Sequence, residues 1–465
     1  MQRSSVSSVV NWRGVSSLVA ALVVVASVFG FSSEAFGQNR PVALTGASVR
    51  TTDGGVLEGV TILIVEGKIA RIGPGIEVPR FSQEIDVSGK FVTPGLIDGA
   101  SLLGMNAGGN WSSGATRRAV DAFDRFATSE LREAARNGVT AFRIIPGKGS
   151  GIRGLSALVR LEGGEGGSRG SVLVKELDLS INLESGERAS RRLDIFDDVR
   201  QKFRDALAYR ESREAYEIQL EEYLEKIEER KKKAEEAEKK NEGGDSDKNG
   251  GGDEKKKDEI KKPDEPRPSR EFEVLLRAID RELPVRIEAH RSADILNALE
   301  LSAEFGFDLT IEGGAEAHLV ADQIAEAEAA VILAPLTSGG GETGPRARFE
   351  TEAFRILQDA GVSVGLSAGL DEGRGSRFVL DNARLAASVA DGADAVRLST
   401  MGIAELLGVY DEIGSLRPGR YGDVVVWSGD PSDPASVVER VFVGGGLIYM
   451  DPATRRNEAR NRRGR

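Results

Sequence analysis

The chain has 465 residues but only two histidines, His290 and His318, and no cysteine. Without cysteine there is no disulfide, no thiolate-bound zinc, no iron–sulfur cluster and no thiol nucleophile. A catalytic zinc takes three or four protein ligands, more than one imidazole can supply. Carboxylates would have to complete the set, and an oxygen-rich site suits magnesium or calcium better than hydrolytic zinc. Two histidines leave little room for a Ser-His-Asp triad. One segment does bring reactive side chains together. If VRIEAH (285–290) is a strand, Arg286, Glu288 and His290 share one face, while Val285, Ile287 and Ala289 share the other. With the apolar face against helices, the polar three point into an interior.

The spacing of apolar residues predicts what would position that strand. Over 41–90, VALTGASV, GVTILIVEGKIARIG and EIDVSGKFV are broken by Gly and Asp turns, the pattern of a small antiparallel β unit. A similar β-rich signature returns at 414–427 and 437–450. Chain ends often lie close together, so 41–91 and 413–455 are expected to form one composite β-sandwich. Between them, strands are expected near 91–97, 139–145, 155–161, 171–177, 285–290, 307–312, 329–335 and 362–367. Helical patterns fall near 120–136, 293–304, 321–327, 352–360 and 382–389. Repeated β-then-α units imply a parallel sheet with right-handed crossovers, and eight of them suit a (β/α)8 TIM-type barrel over 92–412.

A charged insertion, 197–268, interrupts the alternation. Residues 197–240 read as a helix, and 241–268 as a disordered linker. Tyr216, Leu220, Tyr223 and Ile227 recur at the 4-3-4 spacing of a coiled-coil seam, with Tyr209 one heptad earlier. So short a run favours a solvated helix lying against its own domain. The sharper alternative is a homo-oligomer or protein partner held through 200–240. At the N-terminus, Arg3 and Arg13 precede an apolar run at 18–31 and small residues at 35–37, so 1–37 is expected to be a signal peptide. The protein is therefore expected to be exported, periplasmic or secreted. A formal charge of −12 speaks against a nucleic-acid partner, although 456–465 forms a basic tail.

VTPGLID (92–98) resembles the first barrel strand of the amidohydrolase superfamily, in particular its imidazolonepropionase-like branch. NGVTAFRIIPG (137–147) is similar to that family's second strand, and residues 290–322 to its fifth and sixth units. IGSLRPGRYGDVVVWSGDP (413–431) is similar to its return into the β-sandwich. The resemblance spans 41–455 apart from the insertion. It implies a hydrolase of non-peptide carbon–nitrogen bonds, in which one or two metal ions activate water and a carboxylate moves the proton.

The resemblance also implies a ligand set, against which this chain can be read position by position. The family's His-x-His after the first strand falls on Ala100 and Leu102. Its fourth-strand lysine or glutamate falls near Lys175 or Glu176. The strand-five histidine is His290, the strand-six position is Gly313, and the last aspartate falls on Gly369, with Asp371 two residues on. His290 is thus the one clear ligand position retained, with Asp371 as a further candidate. His318, at the start of the helix after strand six, reads as a surface or packing residue. In a barrel, Glu288, Glu312 and Asp98 would gather with His290 at one rim as catalytic candidates. The favoured reading is a self-satisfied cluster, Arg286 paired with Glu288 and Glu312, standing where the metal's charge would be. It implies no cofactor and a binding or scaffold protein that uses the barrel mouth and the charged helix. The alternative is a surviving hydrolase of a small amide, using a single divalent metal or water activated directly. Two further patterns weigh little: SGGGETG (338–344) lacks the ending of a phosphate loop, and Asn110-Trp111-Ser112 fits a common glycosylation triplet.

Overall fold

The computed structural model describes residues 40–50, 55–105, 113–164, 167–184, 189–241, 260–334, 350–367 and 375–463. The expected signal peptide, the Asn110 triplet, the SGGGETG loop, Gly369 and Asp371 lie outside them. The chain divides into Met1–Arg40 and Pro41–Arg465, and the second unit is a mixed α/β fold.

It opens with β1 (Val42–Arg50), β2 (Val56–Val65), β3 (Lys68–Pro74), β4 (Gln83–Asp86) and β5 (Phe91–Pro94). There follow β6 (Leu96–Ser101), α1 (Thr128–Arg136), β7 (Val139–Ile144), β8 (Gly151–Leu155), β9 (Ala157–Gly164), β10 (Gly167–Val174) and β11 (Leu179–Asn182). A 53-residue helix, α2 (Ala189–Asn241), and α3 (Arg270–Ile279) precede β12 (Val285–Ala289). Alternation then resumes with α4 (Ser292–Phe305), β13 (Leu309–Gly313), α5 (Ala321–Glu326), β14 (Ala330–Leu333), α6 (Ala353–Asp359) and β15 (Val364–Leu366). The chain continues through α7 (Val379–Val389), α8 (Ala395–Leu398) and α9 (Met401–Leu406). It ends with β16 (Val424–Trp427), β17 (Val438–Val443), β18 (Gly446–Met450) and α10 (Pro452–Arg463).

Both chain ends do meet, but in one eight-stranded sheet ordered β18-β17-β16-β5-β1-β2-β3, with β4 also paired to β1. The junction is the antiparallel pair β16–β5, in which Val424 faces Pro94 and Trp427 faces Phe91. All four residues of β16 are buried because both faces of the strand are covered. Val424 and Val426 pack with Val92 and Leu44 on one side, and Val425 and Trp427 join the larger core on the other.

The expected eight-stranded barrel is not one closed sheet among the described residues. The strands form a sheet ordered β10-β9-β7-β6 and another ordered β15-β14-β13-β12-β11-β8. β11 to β15 are mutually parallel, as the repeated β-then-α pattern requires. The expected strand at 155–161 differs in direction. β8 and β9 are consecutive, separated by Ser156, with β8 antiparallel to β11 and β9 antiparallel to β7. One bent strand thus belongs to both sheets. Nor is 171–177 the fourth parallel strand: β10 is the hairpin partner of β9. The place beside β12 belongs to β11, whose four residues are too few to stand out in the alternation. The two sheets share an interior. Ile97, Ala141 and Leu158 from one meet Ile332 from the other, and Ile403 and Ala404 of α9 close the cluster.

The charged helix starts at Ala189, earlier than expected, and its first third belongs to the core. Phe196, Val199, Phe203 and Ala206, at 3-4-3 spacing, are buried. Phe203 stacks on Phe305 at 5.1 Å and lies 5.3 Å from Phe307. Tyr209 packs on Phe272 at 5.5 Å, and its hydroxyl accepts from the Ser269 N–H. Beyond it, Tyr216, Leu220, Tyr223 and Ile227 are half-buried on a helix whose other positions from 211 to 235 are exposed. Ile260 and Pro263 of the returning chain line a groove together with Tyr223. No helix among the described residues is long and apolar enough to cross a membrane. The basic tail is helical up to Arg463. Its start is fixed by Asp451, whose Oδ2 accepts from the Ala453 and Thr454 N–H groups, and by Pro452 at the first helical position.

Candidate functional site

The shared interior is apolar at one level and charged at the next. β7 shows how: Phe142 and Ile144 point into the core beneath the helices, while Ala141 faces the interior cluster. Arg143, two residues beyond Ala141, follows it inward and is fully buried. Its Nε and Nη2 donate to Asp178 Oδ2 at 2.6 Å and Oδ1 at 2.7 Å, a bidentate pair. Its Nη1 donates to Glu312 Oε1 and to the Gly99 carbonyl, and its Nε also meets Ser156 Oγ at 3.2 Å. Asp178 is shared: Arg286 Nε donates to Oδ2 at 2.9 Å. Arg286 Nη2 donates to the carbonyl of Leu406 at 2.6 Å. Leu406 ends α9, where carbonyls lack intrahelical partners and a cation is favoured.

A second knot lies two residues further along β12. Glu288 Oε2 accepts from Arg153 Nη2 at 2.5 Å, and Arg153 Nε donates to the Gly149 carbonyl. The other carboxylate oxygen, Oε1, is 3.4 Å from His290 Nε2. Glu288 and Glu312 are register partners on β12 and β13, so both knots occupy neighbouring positions. The His290 ring lies over Gly313, where φ is +93° and a Cβ added to the glycine would come within 2.4 Å of the ring. A glycine there both tolerates the left-handed backbone and leaves the imidazole its place. Arg153 Nη1, Arg286 Nη1, His290 Nδ1 and Glu312 Oε2 have no hydrogen-bond partner among the described residues.

Three buried guanidiniums, Arg143, Arg153 and Arg286, therefore face three buried carboxylates, Asp178, Glu288 and Glu312. Burial works against every one of these charges, so pairing decides which survive. Burial opposes the Asp178 charge, but Arg143 and Arg286 outweigh it and hold its pKa below the usual carboxylate value. Arg143 is likewise held above its ordinary value, despite burial, by Asp178 and Glu312. Glu312 goes the other way: burial raises it, and Arg143 offsets only part of that. Arg286 is lowered by burial, with Arg143 adding repulsion that Asp178 does not fully cancel. Asp178 is thus the fixed anion of the network, and Glu312 its titratable member.

The structure brings together Glu288 and His290, two residues apart along β12, and Glu312, the register partner of Glu288 on β13. It corrects their partners: Arg286 pairs with Asp178, Glu312 with Arg143 and Glu288 with Arg153. Asp98 is buried but alternates with Ile97 and Gly99, which face the interior Ile403 and Ile332, and its Oδ1 accepts from the Ala100 N–H at 3.4 Å. Lys175 and Glu176 are not on the fourth parallel strand, and Glu176 meets Arg277 at 2.8 Å at the edge of the protein. Ala100 and Leu102 are buried. His318 is half-buried in a short turn of helix after β13. Among the described residues no group of three or more His, Asp or Glu side chains is arranged to hold a metal ion.

Residues 287–448 match the amidohydrolase family. No curated protein sequence matches the chain. Among solved structures, an amidohydrolase from Thermotoga maritima MSB8 is similar at 24% identity and a TM-score of 0.65, covering 88% of this chain and all of the other. A prolidase complexed with N-methylphosphonate-L-proline follows at 19% identity and 0.51, covering 89% of this chain and all of its own. A Bifidobacterium longum protein described as a candidate prolidase stands at 16% and 0.51, covering 88% of this chain and 95% of that one. At these identities the likeness is one of fold.

Proposed function

We propose that this chain is an exported amidohydrolase-superfamily (β/α)8 barrel, of the imidazolonepropionase-like branch, in which an arginine–carboxylate network stands in place of the metal centre. It serves as a binding or scaffold protein at the barrel mouth. The family match over 287–448 and the fold likeness support the ancestry. One observation carries the rest: Asp178, Glu288 and Glu312 are each engaged by a buried guanidinium. These residues do not fit a divalent ion, because three arginines would have to be displaced from the oxygens it needs. His290, over Gly313, is the one imidazole at the site. A buried charge is tolerated when it is paired, and the network balances itself without a cation. Ancestry and present activity need not agree.

The test is elemental mass spectrometry of the exported protein after dialysis, beside a screen of small cyclic and linear amides. Metal far below stoichiometry, no turnover, and a ligand that raises the melting temperature unconsumed are the expected results. Near-stoichiometric zinc, iron or manganese would overturn the reading. A second reading rests on the His290–Glu288 pair. With Nε2 protonated toward Glu288, Nδ1 keeps its lone pair and could take a proton from water without a metal. In that case His290→Ala abolishes amide turnover and leaves the fold intact.

A further inference from the structure

Guanidinium groups concentrate in a second place, away from the interior. In a chain of net charge −12, α10 carries Arg455, Arg456, Arg460, Arg462 and Arg463 against one acid, Glu458. Glu458 is held by Arg440 of β17. Beside α10, α1 presents Arg132 and Arg136 one turn apart on a single face. Between the two helices lies a cleft of about 410 Å³, lined by Arg132, Arg136 and Arg456 with Glu133, Tyr449 and Asp451.

The two acids of the cleft are already engaged. Glu133 lies 3.1 Å from Arg377 and 3.8 Å from Arg136, and Asp451 accepts the first N–H groups of α10. Arg132 and Arg456 make no ion pair with any described residue. Two uncommitted guanidiniums therefore line one recess, with Tyr449 on its wall. Planar guanidinium forks match phosphate and carboxylate oxygens, and the volume is that of a small-molecule site.

We propose that this cleft binds a small multivalent oxyanion, a phosphate monoester or a di- or tricarboxylate, gripped between Arg132 and Arg456. Overall charge would repel such an anion, so the local arginines are what recruits it. Isothermal titration of the full exported chain at low salt, with inorganic phosphate, glucose 6-phosphate and citrate as probes, tests this. At least one probe should bind saturably, and which one separates phosphate from carboxylate chemistry. Arg132→Ala and Arg456→Ala should each weaken binding by about tenfold or more, with unchanged melting temperature. Arg355→Ala, an exposed arginine on α6 outside this cleft, should leave binding as it was. Absence of binding by all three probes, or an equal loss in the Arg355 variant, would overturn the proposal.

Discussion

The interior network and the outer part of α2 use the same chemistry, basic side chains opposite acidic ones, under opposite conditions. Inside, Arg143 and Asp178 are fully buried and joined by two short hydrogen bonds. Along α2 the pairs Glu222–Lys226 and Glu229–Lys233 are each 3.4 Å apart with more than half of every side chain in water. Water already satisfies the second group, so pairing adds little. Nothing but the partner satisfies the first, so losing one member strands the other. Burial, more than the count of ion pairs, separates a region that defines the interior from one that keeps a helix soluble.

Substitutions can break or sharpen that contrast. Arg143→Met, which leaves Asp178 and Glu312 facing an apolar chain, should cost roughly 3–5 kcal/mol in urea unfolding. A loss no larger than that of a surface pair would erase the distinction. Next comes the pH dependence. Asp178 is held below its ordinary 3.8, so its stabilisation is present above that value and is lost as pH falls through the lower, folded value. Asp178→Asn should be less stable at neutral pH and should lack this acid limb. Glu312 is raised above its ordinary 4.5, so the folded state binds the extra proton and stability declines as pH rises beyond 4.5. Glu312→Gln should flatten that decline. Urea midpoints measured across the acid-to-neutral range separate the two carboxylates. The smallest effect belongs to the arm: Glu222→Ala or Lys226→Ala should change stability by only about 0.3–0.5 kcal/mol, and less at high salt.

Half of the network was legible in the sequence. Period two placed Arg286, Glu288 and His290 on one face, and the β-then-α rhythm placed Glu312 beside them. Their partners were not legible, because they arrive from other strands: Arg143 lies 169 residues from Glu312, and Arg153 lies 135 from Glu288. A signal existed for two of the partners. Arg143 is the one charge in VTAFRI, and Asp178 is flanked by Leu177 and Leu179. β11 escaped because four residues beside a longer apolar run carry too little periodicity to stand out. The reversed strand escaped for a different reason: alternation does not reveal direction. The buried first third of α2 shows the same 3-4-3 spacing as any core helix, but its charged surroundings drew it into the insertion.

The pairing of β11 with β12 carries a last consequence. Leu179 and Val285 are register partners although more than a hundred residues separate them. The excursion is fastened at its root, where Tyr209 meets Phe272, Lys202 meets Glu271 at 2.7 Å and Arg210 meets Asp280 at 2.7 Å. The protein is therefore divisible there. Two polypeptides ending and beginning between 242 and 259 should reassemble when co-expressed, making this a natural seam for a split reporter or for inserting another domain.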